Sequence, residues 1–312
     1  MDPDRCRDLP SQDQSLLLEH LGIHDPSAWE EGWRSTGVIE QTTHLWPEGA
    51  HSDWLWSLGL PILTEVMRHQ GQRWLLGFSA LPGCGKTSLG HWLEAAAERL
   101  GLSLQVMSID DFYFSADALD RSMQGNPWGV PRALPGSHEL PLLQSTLEQW
   151  SAGGHPRHPT FDKALRQGRG DRSGWRTCTA DVIVLEGWFV GVRPTDNNGR
   201  NNVLSTISLS ADEELACQKV QCELQGYLPI WDQLNGLWQL RTLEWNSPEI
   251  WKRQQENQMR RTRGAGLSSA DLNGFIRMIS AAIPQDSFDA IEADVCIDID
   301  PDRRLRRLRV RS

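Results

Sequence analysis

The forty residues from Trp74 to Tyr113 leave this chain few choices of fold. They open with WLLGFS (Trp74–Ser79), a short apolar run that suits a strand buried on both faces. ALPGCGKTS follows without a break. SLGHWLEAAAERLG then places Leu89, Leu93, Ala96, Ala97 and Leu100 at helical spacing, with Gly101 to end the helix. SLQVMSI reads as a second strand and runs into Asp110-Asp111-Phe112-Tyr113. A strand, a glycine-bearing loop closing on Lys-Thr and a helix are the setting in which G-x-x-x-x-G-K-[ST] holds phosphate. Backbone N–H groups and the positive helix end surround the oxygens. Ala80 stands in place of the first glycine, which a backbone of negative φ tolerates. The loop therefore assigns nucleotide binding to Ala80, Leu81, Pro82, Gly83, Cys84, Gly85, Lys86, Thr87 and Ser88. Lys86 is expected on the β/γ-phosphates and the Thr87 hydroxyl on Mg²⁺.

Charge narrows the partners. The chain of 312 residues carries 31 Lys and Arg against 41 Asp and Glu, a net charge of −10, which argues against nucleic acid or an anionic membrane as a general partner. With 39% hydrophobic and 23% charged residues and no apolar run near membrane length, the expectation is a soluble, cytoplasmic protein, a monomer or small homo-oligomer. Cys6, Cys84, Cys178, Cys217, Cys222 and Cys296 show no C-x-x-C pairing and read as reduced thiols. Cys84 lies inside the phosphate loop, where helix amides favour thiolate, although a small side chain there need only fit the turn. His24, His44 and His51 match no metal-ligand spacing.

Residues 1–70 hold no catalytic motif and read as a helical extension, with residues 71–312 as the phosphate-binding domain. DQSLLLEHLG forms one helix; Leu55, Leu58, Ile62 and Val66 form a second stripe, with Pro61 expected to bend or divide it. From Ser115 to Gly174 the chain looks loop-rich, Glu139–Gly153 being its clear helix. Asp162, Lys163, Arg166, Arg169, Asp171 and Arg172 cluster in that passage, suiting either a small polyol or carboxylate ligand or plain solvated surface. DVIVLEGW puts Glu186 at the end of a buried strand, where a carboxylate can hold Mg²⁺ directly or through water. Asp110 and Asp111 end the earlier strand; there a carboxylate can take a hydroxyl proton, hold Mg²⁺ or cap the next turn. The last third reads as a strand at Val203–Ser210, helices opened by Ser210, Ser247 and Ser268, and one closing strand, ADVCIDID. The six arginines between Arg303 and Arg311 read as the solvated side of an exposed strand or short helix.

Ala80–Thr87, Ser108–Tyr113, PGSH (Pro135–His138), FDK (Phe161–Lys163), GRGDR (Gly168–Arg172), LEGW (Leu185–Trp188) and WKRQQE (Trp251–Glu256) together resemble the plant and cyanobacterial D-glycerate 3-kinases. These belong with phosphoribulokinase, uridine kinase and pantothenate kinase among the P-loop kinases. The likeness runs from about Trp74 to Val310, and Lys252 stands where that family usually has arginine. It implies an α/β fold, a mostly parallel sheet flanked by helices, and transfer of the ATP γ-phosphate to the 3-hydroxyl of D-glycerate. By the same resemblance Asp110 is the base, Lys86 the catalytic cation, and Thr87 with Glu186 the Mg²⁺ ligands, Asp111 assisting through water. Lys163, Arg169 and Arg172 supply the cation for the substrate carboxylate, His138 donates to a substrate hydroxyl, and Tyr113, Asp162 and Asp171 complete the substrate set. Arg260, Arg261 and Arg263 are candidates for a lid. Two other readings fit the phosphate-handling parts alone: a kinase for another small alcohol, nucleoside or pantothenate in type, and a non-catalytic ATP-binding switch.

Overall fold

The computed structural model describes residues 1–3, 8–195, 208–264 and 266–311. The amino-terminal segment folds as α1 (Ser11–His20), α2 (Pro26–Ser35) and α3 (Val38–Thr42), then a single π turn at Leu55–Gly59 that runs into α4 (Leu60–Arg68). Asp25 caps α2 by accepting the Ala28 N–H at 3.0 Å. Pro61 divides this helical run as expected: the chain is wound as a π turn up to Gly59 and as α-helix from Leu60, so the change of winding falls next to the residue that lacks an N–H for the ladder. Leu55, Leu58, Ile62 and Val66 are all buried, as their spacing implies.

The phosphate-loop unit follows as β1 (Trp74–Ala80), α5 (Lys86–Leu100) and β2 (Leu104–Ser108), with a 3₁₀ turn at Ile109–Phe112. The passage read as loop with one helix contains more order than expected: α6 (Ala116–Ser122), α7 (Leu140–Ser151), and an antiparallel pair, β3 (Arg157–Asp162) and β4 (Asp171–Thr177). This ribbon belongs to no larger sheet and leaves Trp175 51% exposed, so it lacks the alternation that marks a half-buried strand. Then come β5 (Val182–Gly187), α8 (Ala211–Leu224), α9 (Leu228–Trp231), β6 (Gly236–Thr242), α10 (Ser247–Arg263), α11 (Ser269–Ala281), α12 (Gln285–Asp289), β7 (Val295–Ile299) and β8 (Leu305–Val310). Residues 203–207 of the expected strand lie outside the described residues, and 208–210 are not strand. β6 corrects the expectation of one closing strand. Its centre carries the buried Gln239, polar where a central strand should be apolar, and the Phe288 carbonyl accepts from that amide at 2.7 Å.

The main sheet runs β2-β5-β1-β6-β7-β8, parallel throughout except that β8 returns antiparallel to β7. Because the connection through α5 carries the chain from β1 past β5 to β2, the carboxyl ends of β1, β2 and β5 share one crevice. At the far edge the Asp13 carboxylate of α1 accepts the Leu308 N–H of β8 at 2.7 Å, so the edge is covered by the amino-terminal segment. Indoles join that segment to α5: Trp46 stacks on Trp92 with centroids 5.2 Å apart, and the Trp92 N–H donates to the Thr42 hydroxyl at 2.9 Å. Buried apolar side chains form one cluster from Leu9 to Leu308. No helix among the described residues is long and apolar enough to cross a membrane.

Candidate active site

β1 ends at Ala80, and residues 81–85 turn into α5. Two glycines permit the turn, Gly83 at φ 81° and Gly85 at φ 125°, whereas Ala80 is not among the positive-φ residues. A Cβ at Gly83 would lie 2.7 Å from the Trp251 side chain and 2.8 Å from its backbone, so α10 packs directly on the loop. The Lys86 ammonium donates to the carbonyls of Ala80 (2.5 Å) and Leu81 (3.2 Å), folded back across the loop it is expected to serve. Cys84 is buried. The loop from Pro82 to Ser88 forms one wall of a cavity of about 550 Å³.

Asp110, Tyr113, Lys163 and Glu186 line the same cavity. Asp110 comes from the 3₁₀ turn after β2, Glu186 from the end of β5, and Lys163 from the tip of the β3–β4 ribbon. The Asp110 carboxylate, 20% exposed, takes the Tyr113 hydroxyl on Oδ1 (2.6 Å) and the Lys163 ammonium on Oδ2 (2.6 Å). Burial alone would raise its pKa; the Lys163 charge and the nearby His138 outweigh this and hold it well below the usual carboxylate range. Lys163, though burial works against its charge, is raised by Asp110. An acceptor held toward its ionised form thus sits beside the phosphate loop.

Several expected substrate contacts are committed elsewhere. His138 stacks on Tyr113 (4.4 Å between centroids) and pairs through Nδ1 with the Tyr227 hydroxyl at 2.7 Å. Its Nε2 lies 3.9 Å from Asp110, too far for a hydrogen bond, and burial pushes its pKa down. Arg172 donates to the Tyr113 carbonyl (3.0 Å) and to Glu139 (2.5 Å). Arg169 pairs with Asp120, Asp162 with Arg263, and Asp171 accepts the N–H of Ala116. None of these five lines the cavity. Asp111 does not line it either: its carboxylate accepts the N–H of Phe161 (3.0 Å) and, weakly, of Ser108 (3.4 Å). Burial, with Glu186 and Asp110 close by, raises Asp111 to about 6. The acidic-basic cluster seen in the sequence is therefore largely the framework of the ribbon, and Lys163 is its member in the cavity.

Three cations in the wall were passed over. Arg132 is 2% exposed and gives Nη1 to the carbonyls of Gly168 and Arg169, both at 2.6 Å. Lys252 pairs with Glu256 at 2.7 Å, and burial lowers its pKa to about 8 against the pull of that carboxylate. Both charges face the Phe275 ring, at 5.5 Å and 5.0 Å from its centroid. Arg303, one of the arginines read as solvated, turns inward and donates Nε (3.0 Å) and Nη2 (2.9 Å) to the Gly83 carbonyl. Lys252 had a signal, being inside a motif already singled out. Arg132 and Arg303 had none, since nothing local distinguishes them from neighbouring arginines. Thr87 and Glu186 also share the cavity, and a hydroxyl and a carboxylate are the hard oxygen donors that suit Mg²⁺.

No family model matches the chain. It is 31% identical over 215 residues to the chloroplastic D-glycerate 3-kinase of Arabidopsis thaliana, an alignment covering 65% of this chain and 45% of that protein. It is 28% identical over 231 residues to the uncharacterized kinase mug58 of Schizosaccharomyces pombe, covering 70% of this chain and 82% of the relative. Among solved structures, the D-glycerate 3-kinase from Cryptococcus neoformans superposes with a TM-score of 0.65 at 25% identity, over 80% of this chain and 96% of that one. The chain folds as a P-loop kinase. The chain spans less than half of the plant relative's length.

Proposed function

We propose that this P-loop kinase is ATP-dependent and phosphorylates the 3-hydroxyl of D-glycerate, giving 3-phosphoglycerate, with Mg²⁺, in the cytoplasm. The observation that carries the reading is the Asp110 carboxylate, ionised and oriented by Tyr113 and Lys163 in the cavity walled by the phosphate loop. Likeness to two D-glycerate 3-kinases supports the choice of acceptor.

The chemistry asks mainly for positioning and charge neutralisation. Backbone N–H groups of Gly83 to Thr87 and the amino end of α5 cradle the triphosphate, and Lys86 leaves its carbonyl contacts for the phosphate oxygens. Thr87 and Glu186 would hold Mg²⁺, which when bound offsets charge on the phosphate oxygens. Asp110 accepts the proton of the attacking hydroxyl through Oδ1 or Oδ2, both already occupied by donors that a substrate hydroxyl can displace. Lys163, Arg132 and Lys252 supply the positive charge for the glycerate carboxylate, in place of the Arg169 and Arg172 expected from sequence. With Mg-ATP and D-glycerate, purified protein should form 3-phosphoglycerate and not the 2-isomer. Asp110→Asn should cost roughly 10²- to 10⁴-fold in turnover and leave ATP affinity within a few-fold. A variant that keeps its turnover would remove Asp110 from the reaction, and the 2-isomer would overturn the assigned regiochemistry.

A further inference from the structure

ATP in a phosphate loop has two ends, and the sheet order separates them. Asp110 and Glu186 come from β2 and β5, on one side of β1, and mark where the γ-phosphate meets its acceptor. The nucleoside must leave toward the other side of β1, where β7 turns into β8. There Asp302 and Arg303 of the β7–β8 turn share the cavity wall with the amino-terminal segment, at Trp46, Glu48, Ala50, His51 and Trp54. Trp54 is fixed in this position: its indole N–H donates to the Arg303 carbonyl at 2.7 Å, and a Cβ on Gly85 would meet its ring at 3.1 Å. Trp46 has the opposite property. It is 6% exposed and lines the cavity, yet its indole N–H is buried with no hydrogen-bond partner. A buried donor left unpaired is unfavourable, and one at a ligand wall is satisfied when an acceptor arrives.

We propose that residues 46–54 form the seat for the nucleoside end of ATP. Trp46 gives its indole N–H to a purine ring nitrogen or ribose oxygen, and the exposed Glu48 carboxylate accepts from the ribose hydroxyls. The segment before the kinase sheet is then part of the nucleotide site. This rests on reading the cavity as an ATP site, but not on glycerate as the acceptor.

Titration calorimetry of the full chain with Mg-ATP and with Mg-tripolyphosphate, which lacks the nucleoside, tests it. Trp46→Phe keeps an aromatic ring against Trp92 and removes the N–H. It should weaken Mg-ATP about tenfold, near 1.4 kcal/mol, and change tripolyphosphate by less than about twofold. Should Trp46→Phe disturb folding, Glu48→Ala at an exposed position should show the same split. Equal loss for both ligands, loss for neither, or a wild-type chain that binds ATP no better than tripolyphosphate overturns the seat. A chain that shows the split but does not phosphorylate glycerate sinks the acceptor assignment and leaves the seat standing.

Discussion

Two neighbouring aspartates show how far residue type falls short of residue role. Asp110 and Asp111 follow the same strand, yet one faces the phosphate loop and the other faces backbone N–H groups. Because Lys163 keeps Asp110 ionised, kcat/KM should show no acid limb from Asp110 within the ordinary carboxylate range. Lys163→Met removes the charge and leaves burial to push the carboxyl up. An acid limb should then appear at higher pH in the rate profile, whatever the loss in maximal rate; an unmoved limb would show that Lys163 does not set the ionisation of Asp110. Asp111 carries the reverse sign. Its folded pKa, about 6, lies above the ordinary aspartate value of 3.8, so the native state holds the proton more tightly. Stability is then greatest below the unfolded value, falls as pH rises from about 4 to about 6, and is constant above. The penalty is on the order of 2–3 kcal/mol. Asp111→Asn escapes it, so the variant's melting temperature should gain on wild type across that window. A difference independent of pH would mean that Asp111 ionises as easily folded as unfolded.

At the scale of elements, what could be read in the sequence was what local pattern determines. The strand–loop–helix unit, the buried run ending in Glu186 and the helix capped by Ser210, whose hydroxyl accepts the Glu213 N–H at 3.2 Å, each carry their signal within a few residues. β6 and the β3–β4 ribbon did not, because Gln239 and the exposed ribbon face depart from strand patterning for reasons that only tertiary partners supply. The turn between β7 and β8 was hidden in the same way: an arginine-rich sequence looks solvated until Arg303, at φ 60°, is seen holding the phosphate loop. Arg303→Ala frees the Gly83 carbonyl and should raise the KM for ATP about tenfold while leaving that for glycerate within about twofold. Arg303→Lys should recover little, since an ammonium cannot reproduce two parallel bonds to one carbonyl. Equal effects on both substrates would place Arg303 outside nucleotide binding.

For the whole molecule, the question is whether the first seventy residues are an attachment or a structural part. Five of the fifteen tryptophans fall there, and they are not scattered. Trp29, Trp33 and Trp56 meet edge to face, Trp46 and Trp54 do likewise, and Trp46 stacks on Trp92 of the helix that carries Lys86 and Thr87. Together with α1 on β8, this joins the segment both to the helix that follows the phosphate loop and to the far edge of the sheet. An attachment would melt by itself at lower temperature, while a shared core predicts one transition. Thermal unfolding followed by tryptophan fluorescence and by far-UV circular dichroism should therefore coincide. Thr42→Val, which removes the acceptor of the buried Trp92 N–H, should lower both signals together by on the order of 1–2 kcal/mol. A separate early transition that Thr42→Val shifts alone would make the segment an independent unit, and would leave the nucleotide loop standing without it.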